Sequence, residues 1–167
     1  YDINGRGQGS GDLRSLLSRK ENLSGKCGDI HALFVGLARA SGIPARIQYG
    51  IRIGDSALNK NLGKSGDIST SQHCQAEFYL SGLGWVPVNP SDVARVMAAE
   101  SLSHNHDSIS QLREKLFGSW EMNWVAFNQL EGVDLGKTST AGRLPFFIYP
   151  HAEIEGKQQI GRASCRE

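Results

Sequence analysis

Hydrophobic positions recur along this chain with two periods, and the change from one to the other locates the elements. Between positions 30 and 40 the apolar residues Ile30, Leu33, Phe34, Leu37 and Ala38 fall at i, i+3, i+4, i+7 and i+8. That spacing lines one face of a helix. Ser41-Gly42-Ile43-Pro44 closes it, since glycine accepts a left-handed cap and proline cannot continue the hydrogen-bond ladder. Over positions 45–53 the period drops to two, with Ile47, Tyr49, Ile51 and Ile53 on one face and Arg46, Gln48 and Arg52 on the other. This is the alternation of a strand. Upstream, Asp12 is placed to cap a short helix reaching about Arg19, with Leu13, Leu16 and Leu17 along one side.

Residues 54–72 are rich in Gly, Ser, Asn and Lys and read as a long loop of the kind that covers a substrate cleft. Two strands follow, 73–80 and 84–89, around Gly82 and Gly84. Pairing Leu80 with Gly84 across the loop Ser81-Gly82-Leu83 aligns Val86 and Val88 with Cys74, Ala76, Phe78 and Leu80. A two-residue loop scatters the same residues over both faces, so hydrophobic matching selects the longer loop. Helical stretches are expected over 91–100 and 109–117, and short strands over 124–128 and 146–149. Helices first and antiparallel strands after make an α+β domain.

At 167 residues, 39% of them hydrophobic, the chain is long enough for one domain with one core. A formal charge of +1 without a Lys/Arg cluster argues against a nucleic-acid or anionic-membrane surface. No apolar run approaches the ~20 residues of a membrane span. The chain opens at Tyr1 and has the look of a fragment. The closing stretch Ile160-Gly161-Arg162-Ala163-Ser164-Cys165-Arg166-Glu167 reads as translated sequencing adaptor, which leaves residues 1–159 as the domain. Without that tail the charge falls to zero and the cysteines to Cys27 and Cys74. Two cysteines with no short-range Cys/His pairing describe neither a disulfide framework nor a zinc site.

Cys27 stands at the head of the periodic helix, in Gly25-Lys26-Cys27-Gly28-Asp29. Unpaired N–H groups and the positive end of the helix dipole there favour thiolate over thiol. The hairpin register puts Asn89 on the His73 face, opposite Gln75 and diagonal to His73. Cys27, His73 and Asn89 thus supply a nucleophile, a base and an orienting group. The remaining polar residues have plainer readings. Glu77 and Gln75 are structural hydrogen-bonding partners, Arg46 pairs with a carboxylate, Cys74 is core, and His31 decorates the helix flank. His104 and His106 lack a third ligand and belong to a solvated loop. The glycines at 5, 7, 9 and 11 mark a flexible entry loop, because no strand precedes them and the GxGxxG spacing is absent.

These segments together resemble the transglutaminase-like superfamily, particularly its bacterial branch. The resemblance rests on Gly25-Lys26-Cys27 with Leu33-Phe34-Val35, on Arg39-Ala40-Ser41-Gly42-Ile43-Pro44-Ala45-Arg46, on His73-Cys74-Gln75-Ala76-Glu77-Phe78-Tyr79 and on Gly84-Trp85-Val86-Pro87-Val88-Asn89-Pro90. It covers about residues 11–95, with weaker similarity over 120–128 and 146–153. It implies a papain-like fold with Cys27 as nucleophile and His73 as base. Asn89 stands where the family usually has Asp, and Asp92, beyond Pro90 and at a helix start, is a poor substitute. An amide oxygen can still accept the imidazolium N–H, as in Cys-His-Asn proteases. The expected activity is thiol-dependent acyl transfer on amide or peptide carbonyls of a protein or peptide substrate, by hydrolysis, with no metal or organic cofactor. Amine cross-linking is the runner-up, and a non-catalytic binding module is the rival from another class.

Overall fold

The helical stripe and the alternating strands pack directly on one another. The computed structural model describes residues 1–160 other than 6, 20–22, 138 and 156, with the backbone alone for 158–160. The adaptor-like tail beyond Ile160 therefore lies outside the described residues. A short helix α1 (Leu13–Ser18) begins at Asp12, whose carboxylate accepts from the Arg14 N–H. It leads to α2 (Cys27–Ala40), β1 (Ala45–Arg52), β2 (Gln72–Leu80), β3 (Gly84–Val88), α3 (Pro90–Glu100), α4 (Asp107–Lys115) and β4 (Trp124–Asn128). Two ribbons follow, β5 (Glu131–Asp134) with β6 (Arg143–Phe146) and β7 (His151–Ile154) with β8 (Lys157–Ile160). The main sheet runs β3-β2-β1-β4 with every pairing antiparallel. The fold is mixed α/β around an antiparallel sheet.

The hairpin adopts the register that hydrophobic matching selects, with Leu80 opposite Gly84 and Ala76 opposite Val88. Gly82 and Gly84 both take positive φ, 85° and 87°, a conformation open to glycine at little cost. α2 lies across β1 and β2 and buries Val35 against Ile47, Cys74, Ala76 and Phe78. Val35, Ile47 and Phe78 each contribute about 1.5–3 kcal/mol by leaving water.

Several expectations need correction. β2 is buried on both faces as far as Phe78, because more than α2 covers it. Trp120 Nε1 donates to the carbonyls of Ala76 and Val88, and Trp124 Nε1 donates to that of His73. Arg52, expected on the polar face of β1, is buried and reaches the Leu62 carbonyl and Asp92. The 54–72 loop is anchored rather than free. A 3₁₀ turn at Lys60–Leu62 sinks Leu62 into a second core with Val96, Ile109, Leu112 and Leu116. The Glu121 carboxylate also accepts the backbone N–H groups of Ala57 and Leu58. Finally, the strand expected at 146–149 ends at Phe146. Beyond it Phe147 bonds to Leu130 and Asn128 rather than to a ladder.

Candidate active site

Cys27 is the first residue of α2, and its surroundings are assembled by Asp29 two positions later. The Asp29 carboxylate accepts the backbone N–H of Lys26 (3.1 Å), Ser10 (3.0 Å) and Gly11 (3.0 Å). It thereby ties the glycine-rich entry segment to the helix start. The Gly28 N–H donates to the Gln8 carbonyl at 2.7 Å, and a Cβ at position 28 would collide with that oxygen. The segment thus lays Gln8 over the sulfur. The Cys27 thiol donates to Gln8 Oε1 at 2.7 Å, while Gln8 Nε2 donates to the Gln72 carbonyl at 2.6 Å.

His73 comes to the same sulfur from β2, close enough for its charge to act on the thiol. Its Nε2 lies 3.2 Å from Asp92 Oδ1. Asp92 in turn takes Arg52 Nη2 at 2.5 Å on Oδ1 and Asn89 Nδ2 at 2.7 Å on Oδ2. All five of these side chains are buried.

The protonation states follow from that packing. Burial alone raises the Cys27 pKa, but hydrogen bonds from Cys74 and His73 and the His73 charge overcome it and bring it down to about 5. Burial and Arg52 oppose a charge on His73, yet Asp92 and Cys27 prevail and hold its pKa above the usual imidazole value. Burial penalises the Asp92 carboxylate, and His73 and Arg52 reverse that, keeping it ionised far below the ordinary carboxylate range. The set is that of a thiolate–imidazolium pair backed by a carboxylate.

Of the three residues singled out in the sequence, Cys27 and His73 come together. Asn89 comes close, and its Nδ2 meets Gln75 Oε1 at 3.2 Å, the neighbour the register predicts. The group facing the His73 ring is nevertheless Asp92. β3 stops at Val88, and Asn89 becomes the cap of α3, its Oδ1 accepting the Asp92 N–H at 3.1 Å. Capping turns the first helical turn back towards β2 and carries the Asp92 carboxylate to the imidazole. Asn-Pro-x-Asp is itself a helix-start signature, an Asx cap with proline at N1 and an acid at N3, and it signals that geometry.

Three further residues join the site. Gln8 leaves no periodic signal in its glycine segment. His31 is wholly buried, not on the flank as expected, with Nδ1 3.3 Å from Cys74 Sγ. Its place four residues after Cys27, one helical turn on, was a signal that it shares the Cys27 face. Burial and the neighbouring His73 charge push its pKa down to about 3, so the ring is neutral. Cys74 is buried as expected, but its Sγ donates to Cys27 Sγ at 3.1 Å, and burial together with Cys27 raises its pKa well above an ordinary thiol. The remaining polar residues act structurally: Arg46 pairs with Glu77 and stacks on Trp85, and His106 caps α4. Among the described residues no group of three His, Cys, Asp or Glu side chains is arranged to hold a metal ion. An apolar pocket of about 290 Å³ lies beside Gln72, walled by Ile51, Phe127, Phe147 and Tyr149.

Among known proteins, the model of the transglutaminase-like superfamily matches residues 1–90. An uncharacterized protein of Haemophilus influenzae is 41% identical over 160 residues, which cover 90% of this chain and 43% of that protein. The chain thus spans less than half the length of this relative. No solved structure matches. No helix among the described residues is long and apolar enough to cross a membrane. With the family match running from the entry segment through the hairpin to Pro90, the chain belongs to the transglutaminase-like superfamily.

Proposed function

We propose that this domain is a cysteine-dependent acyl-transfer enzyme of papain-like architecture that hydrolyses amide or peptide bonds in a protein or peptide substrate. The observation that carries the reading is the buried cluster of Cys27, at the head of α2, with His73 and Asp92, in which His73 Nε2 lies 3.2 Å from the Asp92 carboxylate. The Cys27 thiolate attacks the carbonyl carbon, and the carbonyl oxygen takes the negative charge. His73 then gives its proton to the departing amine, leaving a thioester on Cys27. Water, deprotonated by His73, attacks the thioester and releases the acid. Asp92 keeps the imidazole oriented and stabilises its charged form.

The backbone N–H of Cys27, in a helical first turn that offers no internal acceptor, is one donor for the oxyanion. The Gln8 amide supplies a second. Its carbonyl end accepts from the protonated thiol, and once the sulfur ionises a half-turn of the amide, made by giving up the bond to Gln72, turns N–H into the cleft beside it. Asn89 acts one step back, capping α3 and bonding to Asp92. The proposed triad is therefore Cys27, His73 and Asp92, with Asn89 in support.

The test supplies glutamine-containing peptides with and without a primary amine, using Cys27→Ala as the blank. Ammonia release or new peptide termini, unaffected by the amine, is the expected result. Covalent incorporation of the amine would replace hydrolysis by cross-linking. A wild-type protein no more active than Cys27→Ala on any of these peptides would remove the enzymatic reading.

A further inference from the structure

Cys27 and Cys74 form a buried dithiol that the hydrolytic cycle does not require. Their sulfurs lie 3.1 Å apart, closer than uncombined sulfur atoms ordinarily approach and about 1 Å beyond a disulfide bond length. One sits at the first residue of α2 and the other inside β2, elements that pack against each other in the main core. His31 extends the cluster, its Nδ1 3.3 Å from Cys74 Sγ and its buried Nε2 without a hydrogen-bond partner.

We propose that Cys27 and Cys74 are a reversible oxidation site, in which a hydroperoxide converts the pair to a disulfide that switches off Cys27 and protects it from overoxidation. This rests on the reading of Cys27 as the reactive thiolate. The Cys27 thiolate attacks the terminal oxygen of the hydroperoxide. A sulfur–oxygen bond forms, the O–O bond breaks, and the departing alkoxide or hydroxide takes the His73 proton and leaves as alcohol or water. Cys27 is now a sulfenic acid. Cys74 sulfur attacks Cys27 Sγ, the sulfur–oxygen bond breaks, and the Cys74 proton, already directed at Cys27, leaves with the hydroxide as water. Two thiols have lost two electrons to one hydroperoxide, and the products are a disulfide, an alcohol or water, and a water.

A thiolate with a neighbouring thiol in bonding reach follows this route, whereas a solitary one proceeds to sulfinic acid. The resolving thiol must stay protonated until the sulfenic acid forms, and burial holds Cys74 in that state.

The test treats the whole chain with hydrogen peroxide at neutral pH, then maps peptides without reductant. The expected result is a mass lower by two hydrogens, a peptide joining Cys27 to Cys74, and full return of iodoacetamide labelling at Cys27 after dithiothreitol. Under the same treatment Cys74→Ala should gain two oxygens at Cys27 and stay unlabelled after dithiothreitol. A wild-type protein that accumulates Cys27 sulfinic acid without the cross-link, links either cysteine to Cys165 instead, or keeps both thiols intact, overturns the proposal. The wild-type map decides the question even if Cys74→Ala fails to fold. Because it reads mass rather than turnover, it stands apart from the hydrolysis assay: a cross-link without peptide cleavage would sink the enzyme reading alone.

Discussion

Several groups contest the proton on Cys27. Burial favours keeping it, while Cys74 and His73 favour losing it, and its pKa is brought down to about 5. Iodoacetamide labelling of Cys27 should therefore hold a plateau from neutral pH down to about 5 and fall below that. A rise centred at ~8.5 would mean an ordinary thiol. Asp92 and Asn89 separate by the same residue-level reasoning. Asp92→Asn should lower turnover by a factor on the order of 10²–10⁴ through loss of imidazole support. Asn89→Ala should cost about 1 kcal/mol of stability by removing a helix cap, with a smaller loss of turnover. Steady-state kinetics beside urea unfolding checks both, and the assignment fails if the Asn89 variant is the slower enzyme.

At the level of elements, much of the arrangement could be read in advance. The period-3.6 stripe gives α2, the alternation over 45–53 gives β1, and matching Val86 and Val88 to the apolar side of β2 gives the hairpin register. The packing of α2 on β2 that brings Cys27 towards His73 was not legible in those patterns, because none of them sets a helix–strand distance. The reading failed where one kind of structure hands over to another. Strand alternation was carried to Asn89, but the ladder ends at Val88 and a helical cap begins. Asp92 was set aside because it lies past Pro90 at a helix start, and that first helical turn is what carries its carboxylate to the ring. The burial of Arg52 was hidden for a different reason, since its acceptors come from a distant turn and a distant helix. Close approaches are equally invisible to periodicity. Gly50 sits in β1 where the register with β4 shifts, and a Cβ there would meet the Val125 carbonyl and the Trp124 ring. Gly50→Ala should therefore cost about 1–3 kcal/mol by overpacking. It should also loosen the Trp124 bond to the His73 carbonyl, seen as faster amide exchange across β4.

Across the whole molecule, Arg52 is a side chain that ties the second core to the site. Arg52 contacts the carbonyl of Leu62, which fills the core under α3 and α4, and also the carboxylate of Asp92. Leu62→Ala should cost about 2–5 kcal/mol as a large-to-small core change. It should also reduce turnover of the folded protein, although no atom of Leu62 side chain approaches the sulfur in the bonding network described. Unchanged kcat in fully folded Leu62→Ala would show that packing there does not reach the Asp92 carboxylate.

The acid's location carries a lesson for sorting related sequences. A motif filter demanding aspartate immediately before Pro90 would pass over this chain, while a carboxylate faces the imidazole from one turn inside the next helix.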